Sequence, residues 1–306
     1  YKTDLLIMGS GPAGYTAGIY AARAGVNSLI VSGSQRGGQL IRSSWVENFP
    51  GFVEPISGYD LMEKIHQQAL NLGVKIINDE ISEVDFYDRP FVCSSIGGNS
   101  FISKAIIIAT GASVKWLGLA SEQKYIGHGV SSCATCDGFF FKGKEVAVVG
   151  GGNSALEQAL YLTNYVEKVY LIHRRHCFNA EQIMQKRIFE NRKITIFWNN
   201  VVDEIVGSEN SEEVTGVKIR NVKSDKVRFL EVSGVFVSIG HHPNTEMFRK
   251  YLKLDNSGYI ITKSHSTATD IPGVYAAGDV CNPYRQAVIA AGCGAIAALE
   301  AIKNLH

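Results

Sequence analysis

The sequence predicts an α/β protein made of two three-layer dinucleotide-binding domains, one inserted into the other. Three observations predict it. A glycine fingerprint, Gly9-Ser10-Gly11-Pro12-Ala13-Gly14, stands between a short apolar run and a helical stretch. The same grammar returns 141 residues later as Gly150-Gly151-Gly152-Asn153-Ser154-Ala155. Two further apolar runs, residues 105–109 and 235–239, end in Thr110-Gly111 and in Gly240, where the chain has a natural place to cross between domains.

The elements follow in order. Residues 4–8 read as a strand, residues 15–24 as a helix stopped by Gly25, and residues 28–31 as a second strand. Residues 75–101 and 214–233 are rich in Val, Ile and Thr with short polar turns, which reads as small antiparallel sheets. Around the second fingerprint lie a strand at 145–149, a helix at 156–163 and a strand at 169–172. The C-terminal part is strand, Gly-Asp, loop and a long Ala-rich helix. Its longest apolar stretch, 287–299, is interrupted by Gly292 and Gly294 and falls short of the ~18–20 residues of a membrane span. The fold class is thus two Rossmann-like units. Residues 1–111 and 242–306 form a discontinuous first domain, and residues 112–241 form the inserted one.

Composition narrows the function. At 306 residues, 45% hydrophobic and 19% charged, the chain can bury two cores and is no disordered tract. Thirty basic against twenty-nine acidic residues leave a charge of +1, which offers no field for nucleic acid or an anionic membrane. Of six cysteines, Cys93, Cys177, Cys281 and Cys293 read as small buried hydrophobes. A chain of this length needs no disulfide staples, and the reading favours the cytoplasm.

Each fingerprint follows a strand and opens a helix, the context in which it means a pyrophosphate site. Gly9 permits the tight turn, Gly11 the close approach of backbone to phosphate, and Gly14 the packing of helix on strand. The corresponding turn of the second copy is Gly150, Gly152, Asn153 and Ser154, with Ala155 in the third glycine's place. The strand after the second copy ends His173-Arg174-Arg175, where two guanidiniums suit a 2′-phosphate, so this site reads as NADPH-binding. The strand after the first copy ends Val31-Ser32-Gly33, with neither acid nor base, and leaves its ligand open between NAD and FAD. Gly278-Asp279-Val280 tips the choice to FAD, because an Asp at such a strand end is typically hydrogen-bonded to the ribityl chain.

The remaining pair, Cys133 and Cys136, is three residues apart and can close a small reactive ring. Zinc would need two more ligands. The only other cluster, His173, His176 and Cys177, overlaps the phosphate site, so no metal is expected. Asp137 beside the pair is either a proton donor or a helix cap.

Together these residues resemble a known family. Gly-Ser-Gly-Pro-Ala-Gly (9–14), Gly-Gly-Gln-Leu (37–40), Glu-Asn-Phe-Pro-Gly (47–51), Ala-Thr-Gly-Ala (109–112), Cys-Ala-Thr-Cys-Asp-Gly-Phe-Phe (133–140), Gly-Gly-Gly-Asn-Ser-Ala (150–155), Ala-Gly-Asp-Val (277–280) and Tyr-Arg-Gln-Ala (284–287) are similar, nearly end to end, to the low-molecular-weight thioredoxin reductases. The resemblance implies a homodimer that passes electrons from NADPH through FAD and the Cys133–Cys136 disulfide to oxidised thioredoxin. It implies that Cys136 lies against the flavin, that Cys133 attacks the partner, and that Asp137 is the acid–base residue. Gly9, Gly11, Pro12, Ala13, Gly38, Gln39, Leu40, Asn48, Ala109, Thr110, Gly111, Gly278, Asp279, Val280, Arg285, Gln286 and Ala287 would line the FAD site, and Phe139 and Phe140 would face thioredoxin, although the run of three phenylalanines at 139–141 reads equally as core.

The sequence departs from the family where Asn179 takes the place of a usual third Arg, His176 of an Asp and His128 of an Arg. The alternatives are a flavin-bound thiol redox sensor, or a reductase of another dithiol or electron-carrier partner. Because the pair lies in the inserted domain, fourteen residues before the second fingerprint, that domain is expected to swing about residues 111–113 and 240–242.

Overall fold

The computed structural model describes residues 1–43, 46–208 and 213–305. They divide into two compact units, Tyr1–Ser113 with His242–His306, and Val114–His241.

In the first unit the chain runs β1 (Lys2–Met8), α1 (Pro12–Arg23), β2 (Ser28–Val31), α2 (Gly58–Asn71), β3 (Lys75–Ile77), β4 (Ile81–Asp85), β5 (Phe91–Ser95) and β6 (Ser100–Ile108), and β7 (Ala112–Val114) then crosses the boundary to the second unit. β1 lies between β2 and β6, parallel to both, and Leu5, Leu6 and Ile7 are wholly buried, as befits a parallel strand covered on two faces. The sheet has the order β3-β2-β1-β6-β5-β4. Residues 75–101 therefore do not make a separate small sheet. β3 joins the parallel side, while β4 and β5 extend the same sheet antiparallel through β6. α1 begins at Pro12, three residues before the expected start, because Pro in the first turn gives up no hydrogen bond and already has a helical φ.

The second unit continues with α3 (Ala120–Tyr125), β8 (Val130–Ser131), α4 (Ala134–Asp137), β9 (Glu145–Gly150), α5 (Asn153–Leu162), β10 (Lys168–His173), α6 (Gln182–Glu190) and β11 (Ile194–Trp198). It then adds β12 (Asn200–Gly207), β13 (Val214–Asn221), β14 (Val227–Glu231) and β15 (Gly234–Ser238). Five strands form an all-parallel sheet, β11-β10-β9-β15-β8, and β12-β13-β14 form a separate antiparallel one. The order reverses between β9 and β15, as it does in the first unit between β1 and β6. Ligands of open α/β sheets bind at such switch points, and each fingerprint stands at one.

On its return the chain forms β16 (His241–Pro243), which pairs with β7, then β17 (Val274–Ala276) and α7 (Ala287–Leu305). β17 pairs parallel with residues 106–108 of β6, beyond the stretch that β5 occupies. α7 runs past Leu299 to Leu305, so Gly292 and Gly294 do not end it. By length and composition it is apolar enough to cross a membrane. Its small residues Ala290, Gly294, Ala297, Ala298 and Ala301 are buried, and it packs closely on α1: a Cβ on Gly294 would overlap the Ala13 carbonyl.

Candidate active site

In both units the fingerprint turn is shaped by what lies beside it. Gly9 has φ +110°, and a Cβ there would overlap the Ala109 carbonyl oxygen at the end of β6. Gly150 stands likewise against the Ser238 carbonyl at the end of β15. Any side chain at either position would push the turn off the strand that supports it. α1 and α5 are capped by Gly11 and Gly152, with no side-chain cap and no acid in the first turn, so their leading N–H groups stay open to an anion. Around Gly11 a Cβ would meet nothing within 4 Å, and Gly38 faces it so closely that a Cβ would come within 3.2 Å of the Gly11 Cα.

The first unit gathers most of the residues expected around its ligand. Gly278 is wedged between α1 and α7, with Ala13 and Ala290 at either hand of a would-be Cβ. Asn48 Nδ2 donates to Gln286 Oε1 at 3.3 Å, which joins segments 238 residues apart. Thr110 Oγ1 donates to the Asn244 carbonyl and the Asn244 N–H donates to Gly111 O, both at 2.9 Å. Burial pushes the Asp279 carboxyl up to about 6, against the pull of the Arg285 guanidinium. Two residues stand differently: Val280 is wholly buried in the core and offers a ligand only backbone, and half-buried Leu40 packs against the core. Gln39 sits in a single 3₁₀ turn, Gly38–Arg42.

In the second unit Cys133 and Cys136 form a disulfide with Cα atoms 5.3 Å apart. Cys133 precedes α4, and the N–H groups of Cys136 and Asp137 both donate to its carbonyl, at 3.2 and 3.1 Å. Asp137 caps nothing: it closes α4, its carboxyl makes no cap bond to the following turn, and its partner is the Ser131 hydroxyl. Burial raises its affinity for a proton, and the Ser131 contact opposes this in part. The same Ser131 Oγ accepts from the Cys133 N–H at 3.0 Å. Phe139 is exposed, and its neighbour Phe140 is half-buried.

The residues expected to hold a 2′-phosphate separate. Arg174 and Arg175 are exposed at the end of β10. His173 turns inward: its ring fills the space that a Cβ on Gly151 would need, and Nε2 pairs with the Cys177 carbonyl at 3.0 Å. Burial first, then the two arginines, lower its proton affinity. Asn179 lies at the rim, its N–H donating to Gly151 O at 2.8 Å. Asn153 Oδ1 accepts from the Glu181 N–H and Ser154 is exposed.

Sequence reading missed Ser131, Gln158 and Ser238, which surround the disulfide loop. No spacing rule marks them, since they come from a strand, a helix and another strand. It also misjudged Cys177, which is exposed. Cys93 is buried, and its thiol, like that of half-buried Cys281, is pushed up to about 12 by burial. No group of three or more His, Cys, Asp or Glu placed to hold a metal occurs among the described residues.

Two glycine fingerprint turns and a Cys-x-x-Cys disulfide on one chain define a class of enzyme that moves electrons between a pyridine nucleotide and a disulfide. A family profile agrees: residues 3–294 match the pyridine nucleotide-disulphide oxidoreductases, and the chain belongs to that family. Within it the chain is similar to thioredoxin reductases. That of Rickettsia conorii is 54% identical over 99% of this chain and 98% of its own length. The crystal structure of thioredoxin reductase from Streptococcus pyogenes matches with TM-score 0.93 at 39% identity, covering 99% of this chain and 98% of its own. That of Lactococcus lactis thioredoxin reductase, in an FR conformation, matches with TM-score 0.66 at 38% identity and 99% coverage of both chains.

Proposed function

We propose that the chain is an NADPH-dependent thioredoxin-disulfide reductase in which the first unit holds FAD and the second holds NADPH. The Cys133–Cys136 disulfide is the redox centre. The observation that carries the proposal is this disulfide in the same unit as the second fingerprint, with a half-buried carboxyl next in sequence. The residues fit both groups: two glycine-capped helix N-termini suit pyrophosphates, Asp279 follows Gly278, which lies against Ala13 of α1, and Arg174 and Arg175 are exposed just after His173, whose ring lies against Gly151. FAD, when bound, supplies a two-electron carrier between nicotinamide and disulfide.

The chain's own residues do the rest. In the dithiol form the Cys133 thiolate attacks the partner disulfide, forms a mixed disulfide and releases one partner thiolate. The Asp137 carboxyl, which burial keeps disposed to hold a proton, gives that proton to the leaving sulfur. Cys136 passes its proton to the Asp137 carboxylate, attacks Cys133 Sγ, closes the ring and releases the second partner sulfur as a thiolate. We further propose a homodimer, in keeping with exposed Val288, Ile296 and Leu299 on one side of α7. The cytoplasm suits four free cysteines, one of them exposed.

The swing of the second unit belongs to this proposal. Disulfide and nicotinamide site share one unit, and each must come within ~3–3.5 Å of the same ring to react. Two solved relatives of nearly equal identity that match at TM-scores of 0.93 and 0.66 support the existence of more than one arrangement in the family.

The test is substitution of the pair. Cys133→Ser and Cys136→Ser should each abolish thioredoxin reduction while FAD stays bound and is still reduced by NADPH. Cys93→Ser and Cys281→Ser should cost little. Substantial thioredoxin turnover by either pair variant would defeat the assignment.

A further inference from the structure

We propose that Gln158 is a positioning residue that sets the disulfide–dithiol equilibrium of Cys133 and Cys136, by fixing the backbone on both sides of Cys133. The proposal rests on reading that pair as the redox couple. Gln158 lies on α5, and its side chain reaches across to the disulfide loop. Its Oε1 accepts from the Ala134 N–H at 3.3 Å, and its Nε2 donates to Ser132 O and to Ser238 Oγ, each at 3.1 Å. One amide thus uses its acceptor and both donors, which fixes its orientation: a flip would set NH₂ against the Ala134 N–H and oxygen against the Ser132 carbonyl.

None of these ties involves sulfur. Together with Ser131 Oγ on the Cys133 N–H, they pin residues 132–134 to α5, β8 and the end of β15 whether the ring is closed or open. The far end of the turn hangs on the same anchor, because the Cys136 and Asp137 N–H groups donate to the Cys133 carbonyl. Opening the ring therefore frees two side chains and little backbone. The two thiols stay at high effective concentration, and closure is favoured. Without the brace the dithiol gains backbone freedom that closure must remove, so the closing constant falls and the couple becomes more oxidising.

The experiment equilibrates the FAD-loaded enzyme, without oxygen, with mixtures of reduced and oxidised dithiothreitol. Each closure passes two electrons and two protons from Cys133 and Cys136 to the dithiothreitol disulfide. The reduced fraction is read by mass after alkylation of both thiols, alongside the unfolding midpoint of the disulfide form. Gln158→Met, of similar length but unable to make the three bonds, should lower the closing constant about tenfold, a rise of about 30 mV for a two-electron couple. Gln158→Glu, which sets an oxygen against Ser132 O, should move it the same way. Ser238→Ala removes one tie, leaves the amide in place, and should give a shift of about two- to threefold. Glu157→Ala, at the exposed neighbouring position, should change nothing. A closing constant unchanged in Gln158→Met and Ser238→Ala, or shifted equally by Glu157→Ala, would overturn the proposal. Thioredoxin takes no part in this measurement. A pair that closes as expected but never reduces thioredoxin would sink the proposed function and leave Gln158 in its role.

Discussion

Arg174 and Arg175 are two exposed cations at the end of β10, and on the proposed reading they distinguish a 2′-phosphate from a 2′-hydroxyl. Replacing both with Ala should raise the Michaelis constant for NADPH far more than for NADH. Two charge-assisted contacts at ~1.5–3 kcal/mol each amount to roughly two to four decades of discrimination if additive. Steady-state kinetics with both cofactors checks this, and equal constants in the parent would refute NADPH preference. Asp279 carries a pH dependence. Burial lifts its carboxyl from 3.8 to about 6, so between those values the folded chain keeps the proton that the unfolded chain releases. Stability of the FAD-free protein should therefore fall as pH rises through that window, by about 3 kcal/mol at most, and level off above it. Asp279→Asn should flatten that part of the profile, read from denaturant midpoints at a series of pH values. At this scale the sequence was uneven. The cysteine pair was legible because its chemistry is written in its spacing. The inward turn of His173 was not, because a His and an Arg look alike at a strand end. Only the fold shows that Gly151 leaves room for a ring. Asp137 could not be read either, since cap and buried acid differ in where the carboxyl points.

Among the elements, α7 makes the sharpest prediction because two of its glycines differ in surroundings. A Cβ on Gly294 would overlap the Ala13 carbonyl of α1, whereas one on exposed Gly292 meets nothing within 4 Å. Gly294→Ala should destabilise by ~1–3 kcal/mol through forced separation of the two helices. Gly292→Ala should instead stabilise by up to ~1 kcal/mol through helix propensity. Thermal midpoints of the two variants settle it, and equal effects would mean that the helices do not touch as described. Strands and helices of both nucleotide units were legible to within a few residues, since apolar runs and glycine turns mark them locally. The partners of β6 were not. Its first half pairs antiparallel with β5 and its second half parallel with β17, and which strand lies alongside is decided by packing far along the chain.

For the whole molecule, the two fingerprints made the interleaved plan legible, and the swing expected from the place of the cysteine pair is a matter for experiment. A cross-link that fixes the disulfide at the flavin should block bleaching of the flavin absorbance by NADPH and spare its bleaching by dithionite. Normal turnover in the cross-linked enzyme would mean that one arrangement serves both partners. The crossings themselves have a separate consequence. The Lys115 N–H donates to Gly240 O, closing the second unit on itself, and the Asn244 N–H donates to Gly111 O, closing the first, both at 2.9 Å. The second unit thus ends where it begins, and its host is tied together across the point of insertion. In hereditary terms the second unit is a cassette: one continuous stretch of coding sequence set into its host at a single point, with all seven strands of the host sheet lying outside it.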